Sequence, residues 1–238
     1  MEKETLNNMP EHLAIIPDGN RRWAKERGLP PWDGHESGAQ NTEKLIKYAL
    51  KKGLQCLTFW GSSLDNLKKR PLQEKKALLD IYKKYFEKLL DDSSIHEEEV
   101  RINFIGRWEE QFPESLKEII HSLIEKTKSY EKKMLNFMLA YSGDDEMLGA
   151  ISKIQNKYEK GVKITAQLLK ENLMTASLPP VDYMIRTGGD PHLSAGFMMW
   201  DMANAQLYFA EEKYPDFNEE KFEEALQEYA RRQRRFGK

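Results

Sequence analysis

Three short stretches of the chain carry the residue types needed to hold phosphate. The first is Pro17-Asp18-Gly19-Asn20-Arg21-Arg22-Trp23. Gly19 lets the backbone approach a ligand closely, and a helix starting beyond it presents unpaired N–H groups to an anion. Arg22 adds a delocalised cation that bridges two phosphate oxygens. Asp18 repels the same anion unless a divalent cation lies between them, so the pairing implies Mg²⁺. A plain Asp-Gly turn before a helix is the competing account.

The second stretch supplies Ser62, Ser63, Asp65 and Asn66, then Lys68-Lys69-Arg70 and Pro71. Hydroxyls, an amide and a guanidinium again suit phosphate, although helix capping accounts equally for Asp65 or Asn66 alone. The third runs Arg186-Thr187-Gly188-Gly189-Asp190-Pro191-His192-Leu193-Ser194. An arginine closing a buried strand needs a partner, because an unpaired buried charge is costly. A diphosphate or a structural salt bridge satisfies that need.

These stretches are positioned by alternating apolar runs and helical patterns. Strands are expected at His12–Ile16, Leu54–Trp60, Val100–Ile105, Met134–Tyr141, Val181–Ile185 and Gln206–Phe209. A helix capped by Asn20 should run to about Arg27, and a second should follow His35 with Leu45, Ile46, Ala49 and Leu50 on one face. Pro71 opens a long helix whose Leu78, Ile81, Tyr82, Tyr85, Phe86 and Leu89 recur at helical spacing. Strand-then-helix order implies an α/β fold, a mainly parallel sheet of about six strands covered by helices on both faces. Ligands of such sheets bind at the carboxyl ends of the strands, where the three stretches fall.

The 238 residues suffice for one domain spanning 1–238, with residues 1–11 expected as a flexible start. A net charge of −2 gives no global electrostatic case for nucleic acid. Apolar runs such as Phe197-Met198-Met199-Trp200 are far too short to cross a bilayer, and Met1 to Pro10 lacks the apolar stretch of a signal peptide. The one cysteine, Cys56, suits a reducing cytoplasm.

His12-Leu13-Ala14-Ile15-Ile16-Pro17-Asp18-Gly19-Asn20-Arg21-Arg22-Trp23-Ala24 resembles the first signature of cis-prenyltransferases, the family of undecaprenyl diphosphate synthase. Gly34-His35 with Gly38, Ser63-Leu64-Asp65-Asn66 before Arg70-Pro71, Arg186-Thr187-Gly188-Gly189 and Arg234-Arg235-Phe236-Gly237 follow in the family's order. The resemblance implies Mg²⁺-dependent condensation of isopentenyl diphosphate with an allylic diphosphate. It also implies a homodimer, a hydrophobic tunnel walled in part by the helix after Pro71, and peripheral membrane contact for product release. Under it Asp18 binds the metal, and Gly19, Asn20, Arg21 and Arg22 cradle the leaving diphosphate, with Trp23, His35 and Arg70 nearby. Ser63, Leu64 and Asp65 fall in the substrate-binding block, and Asn66 takes the position assigned to proton removal. Arg186, His192 and Ser194 hold the isopentenyl diphosphate. The family's late metal-binding glutamate aligns with Gln206, which leaves Asp190 or Asp201 as substitute carboxylates. A noncatalytic subunit of a two-component prenyltransferase is the alternative; such subunits degrade the first signature, whereas Asp18 and Arg22 are present here.

Overall fold

A computed structural model of the chain describes residues 8–159 and 161–232. Of the expectations above, the flexible start over residues 1–7 and the Arg234-Arg235-Phe236-Gly237 block lie outside the described residues. Within residues 8–11, Pro10 is buried and the Glu11 N–H donates to Asp182 Oδ2 at 2.8 Å.

The chain runs β1 (His12–Ile16), α1 (Asn20–Glu26), α2 (Pro31–Lys51), β2 (Cys56–Trp60), α3 (Leu64–Lys69), α4 (Leu72–Leu90), α5 (Ser93–Glu97) and β3 (Val100–Ile105). It continues α6 (Trp108–Gln111), α7 (Glu114–Thr127), β4 (Lys133–Met138), α8 (Gly143–Lys157), α9 (Ala166–Asn172), β5 (Tyr183–Arg186), β6 (Gln206–Phe209) and α10 (Glu219–Arg231). The strands form one six-stranded sheet in the order β3-β4-β2-β1-β5-β6, and every pairing is parallel.

Alternation along β1 shows why both faces must be covered. Leu13 and Ile15 enter the larger core, with side chains of α2, α4, α7 and α10, while Ala14 and Ile16 enter the second. That second core is closed largely by Phe197, Met198 and Met202, from a turn-rich segment rather than a long helix. Ala150 and Ile154 of α8 instead pack with Leu169 of α9 and Leu173 in a separate small cluster.

Strand order fixes the site. The chain leaves β1 for β2 on one side and later returns to place β5 on the other, so the crevice beside the end of β1 is a topological switch point. There Ile16 pairs in register with Arg186, two residues before Asp18.

Local differences from the expected elements have physical causes. Asn20 is the first residue of α1 rather than its cap; Gly19 takes the cap position at φ 106°. The second helix begins at Pro31, so His35 lies inside it. Gly34 and Gly38 read as breakers in isolation, but here they admit α1: a Cβ on Gly34 would lie 2.0 Å from the Asn20 carbonyl oxygen. A short helix, α3, precedes Pro71, and its cap is Ser63, whose Oγ accepts from the Asn66 N–H at 3.0 Å.

Candidate active site

Asp18 sits just past the end of β1, its side chain 32% exposed. Its Oδ1 accepts from the Gly19 N–H at 2.6 Å and lies 3.3 Å from Arg22 Nη2. Arg186 Nη2 donates to Asp18 Oδ2 at 2.7 Å. The loop after β5 closes round this pair: Thr187 Oγ1 donates to the Asp18 carbonyl at 2.7 Å, and Arg22 Nη1 donates to the Gly188 carbonyl at 2.8 Å. Gly188 needs its positive φ of 94°, and a Cβ there would meet Arg22 Nη2 at 2.6 Å.

Arg186 also donates through Nη1 to the His192 carbonyl at 2.7 Å and to Ser194 Oγ at 3.0 Å. The His192 ring spans Asp190 Oδ1 at 2.9 Å and Ser194 Oγ at 2.9 Å. Arg186 Nε is buried without a partner. A buried donor left open beside a charged cluster is a position for a ligand acceptor. The three residues of the third stretch, Arg186, His192 and Ser194, are therefore brought together with Asp18.

A second cluster gathers on the side of α2 and α4 around Glu74, which is buried in the first turn of α4. Its Oε1 lies 3.1 Å from His35 Nε2, 3.5 Å from Arg21 Nε and 3.6 Å from Arg70 Nε. Burial pushes the His35 pKa down, the Arg70 charge lowers it further, and contact with Glu74 opposes both. Glu74 was not singled out from sequence. Its one local signal is a spacing of four residues from Arg70, which also fits an ordinary surface pair.

The cationic cleft between these clusters is lined by Asp18, Gly19, Asn20, Arg21, Arg22, Lys25, His35, Asn66, Lys69 and Arg70, among others. Arg186, His192 and Ser194 stay in the Asp18 cluster rather than in this lining, and four expected residues lie outside both. Trp23 Nε1 donates to Asp216 at 2.7 Å and its ring carries the Arg27 guanidinium at 4.1 Å. Ser63 serves as the α3 cap, and Asp65 is exposed and paired with Lys69 at 2.7 Å. Leu64 packs against the larger core.

Gln206 opens β6 opposite Tyr183, three residues before the Phe209–Arg186 pair, and so about 10 Å along the strand from the end that carries Asp18. It does not share the cleft with Asp18 within this chain. Asp201 is buried and committed to Lys170 and Thr175 Oγ1, whereas Asp190 lies 4.0 Å from Arg186. Among the described residues no group of three or more His, Cys, Asp or Glu side chains gathers to hold a metal. Mg²⁺ is commonly held by one or two carboxylates together with substrate phosphates, and Asp18 in a cationic cleft fits that mode rather than an all-protein cage.

Pro17, Asn20 and His35 line the cleft and also a second, largely apolar cavity. This cavity runs between α2 and α4 over Phe59 and Phe137 of the sheet. All six residues of the predicted α4 stripe line it: Leu78, Ile81, Tyr82, Tyr85, Phe86 and Leu89.

A family described as "Putative undecaprenyl diphosphate synthase" matches residues 16–237. A tritrans,polycis-undecaprenyl-diphosphate synthase (geranylgeranyl-diphosphate specific) of Pyrococcus abyssi is 34% identical over 242 residues, covering 100% of this chain and 90% of that protein. An isoprenyl transferase of Thermus thermophilus is 37% identical over 238 residues, covering 97% and 89%. The crystal structure of lavandulyl diphosphate synthase from Lavandula x intermedia, in complex with dimethylallyl diphosphate, superposes with a TM-score of 0.89 at 28% identity, covering 97% of this chain and 99% of that one. The chain belongs to the undecaprenyl diphosphate synthase family of prenyltransferases.

Proposed function

We propose that the protein catalyses cis-type prenyl chain elongation, joining isopentenyl diphosphate to an allylic isoprenoid diphosphate. The observation that carries this reading is continuity: a cationic cleft and an apolar cavity share Pro17, Asn20 and His35 as lining. A molecule with a diphosphate head and a hydrocarbon tail fits such a pair of compartments, because each end meets its own kind of surface.

In this reading Gly19, Asn20, Arg21, Arg22, His35 and Arg70 receive the allylic diphosphate. Arg186, His192 and Ser194 receive the isopentenyl diphosphate. The allylic C–O bond breaks with its electron pair leaving on the diphosphate, a C–C bond forms to the terminal carbon of the isopentenyl group, and the acceptor's proton passes to the released diphosphate or to water. The arginines stabilise the charge that develops on the departing diphosphate. Asn66, which lines the cleft, positions the acceptor, since an amide is a poor base. Asp18 and substrate oxygens would hold Mg²⁺, which when bound supplies charge neutralisation at the leaving group.

A homodimer is part of the same reading. Leu193, Met199, Trp200 and Leu207 of the edge strand β6 and its neighbourhood are exposed, and a second copy would cover them. No helix among the described residues is long and apolar enough to cross a membrane, so delivery of product to a membrane would be peripheral. Purified protein incubated alone with Mg²⁺, an allylic diphosphate and labelled isopentenyl diphosphate tests the catalytic assignment. Incorporation into a longer chain with new cis double bonds supports it. Incorporation seen only after a second protein is added would make the chain a noncatalytic subunit.

A further inference from the structure

The apolar cavity has a second end whose chemistry differs from the first. Between the C-terminal halves of α2 and α4 its lining turns ionic, with Glu43, Lys47, Lys88 and Asp92. Lys88 Nζ lies 3.3 Å from Glu43 Oε2, and Lys47 Nζ lies 3.3 Å from Glu43 Oε1 and 3.5 Å from Asp92 Oδ2. These side chains join α2 to the end of α4 and the residues after it. From His35 at the cleft to Lys47 at this end is about 18 Å along α2, at the helical rise per residue.

The walls of the cavity differ in how readily they give way. Its floor is set in buried aromatic packing: Phe86 stands 5.1 Å from Phe137, and Phe59 stacks on Phe137 at 6.3 Å. Moving those rings means repacking a dense core. At the far end the Lys47 and Lys88 side chains are 51% and 52% exposed. Exposed ion pairs are individually weak and are screened by salt. The ionic seam is therefore the softest boundary that an apolar chain would meet after filling the cavity.

We propose that Glu43, Lys47, Lys88 and Asp92 form a clasp that determines product length, because a prenyl chain that fills the cavity grows further only where this clasp parts. The inference rests on the cavity holding the growing chain, as in the function proposed above. Swapping charges across the clasp tests it. Products of the unaltered protein, of Glu43→Lys, of Lys88→Glu and of the double swap are compared by mass spectrometry, each normalised to total isopentenyl incorporation. Each single change should lengthen the main product by one or more isoprene units, and the double swap, which rebuilds the pair between positions 43 and 88 but leaves Lys47 facing a like charge, should bring the length back toward the original, which a merely destabilising change would not do. Raising salt from about 0.05 to about 0.5 M should lengthen the product of the unaltered protein, a test that needs no variant. Unchanged lengths in both arms, with longer products from Phe86→Ala, would overturn the clasp and give control to the aromatic floor. Absence of all incorporation by the unaltered protein would overturn the catalytic reading itself, a different result from incorporation at unaltered length.

Discussion

Asp18 and Glu74 are each shared among several basic groups, yet the side chain of one is 32% exposed and that of the other 4%. Asp18 rides on a loop held by a left-handed glycine, and its partners come from α1 and the end of β5. Glu74 sits in a helix and is met by side chains from α1, α2 and the link before α4. A partly exposed carboxylate on a loop exchanges its cations for an arriving anion at lower cost than a buried one, since water reaches the carboxylate as it is released. A buried one does not, because separating it from its partners leaves desolvated charge behind. Under the proposed function the pairing implies a division of labour: the Glu74 cluster would keep Arg21, Arg70 and His35 in place before substrate arrives, while the Asp18 cluster would rearrange when it does.

The largest expected effect falls on the exchangeable cluster. Asp18→Ala should lower turnover by about 10²–10³-fold, the usual loss for one strong transition-state contact, while circular dichroism stays native. Near-normal turnover would remove Asp18 from the chemistry and break the contrast at its first term. Arg186→Ala should raise the KM for isopentenyl diphosphate about tenfold or more, with a smaller change for the allylic substrate, since charged hydrogen bonds are typically worth about 1.5–3 kcal/mol. Equal changes in both constants would mean that the two diphosphates are not divided between the β1 and β5 loops as proposed.

Glu74→Ala should act on stability as well as activity. It strips a buried carboxylate from two arginines, and a loss of about 1–3 kcal/mol is expected in urea unfolding, tempered by the 60% exposure of Arg21. Glu74→Gln should recover part of that loss by keeping a hydrogen-bond acceptor. If neither change alters the unfolding midpoint, the cluster is not the fixed frame described.

The smallest effect is a pH dependence. Burial pushes the pKa of both His12 and His35 below the ordinary 6.5. The unfolded chain therefore binds protons that the folded one refuses, and stability should fall as pH drops below about 6.5, by at most about 1.4 kcal/mol per pH unit for each histidine. Urea titrations at pH 7.5 and 5.5 measure this. His35→Asn should reduce the slope, and an unchanged slope would mean that His35 binds its proton equally well in the folded and unfolded chain.

Sequence showed the scaffold more readily than the electrostatics. The strands were legible because parallel strands buried on both faces leave unbroken apolar runs such as Leu13-Ala14-Ile15-Ile16. The α4 stripe was legible as a helix from its periodicity, but its role as a cavity wall came only from the family resemblance, since periodicity does not distinguish a packed face from a hollow one. Asp18, Arg22 and Arg186 stood out because glycine turns and arginines beside strand ends are local features. Glu74 and the distant placement of Gln206 were hidden. Both depend on which residues the fold brings together, and neither a helix-turn spacing nor a family alignment records depth in a sheet.

The division between an exchangeable and a fixed cluster is tested most directly by a crystal structure with Mg²⁺, an unreactive allylic thiodiphosphate and isopentenyl diphosphate. The account predicts that Arg22 and Arg186 turn from the Asp18 carboxylate to phosphate oxygens, that His35 and Arg70 keep their present contacts with Glu74, and that the prenyl tail lies between α2 and α4. An Asp18–Arg186 pair still closed at 2.7 Å, with the diphosphates bound elsewhere, would contradict it.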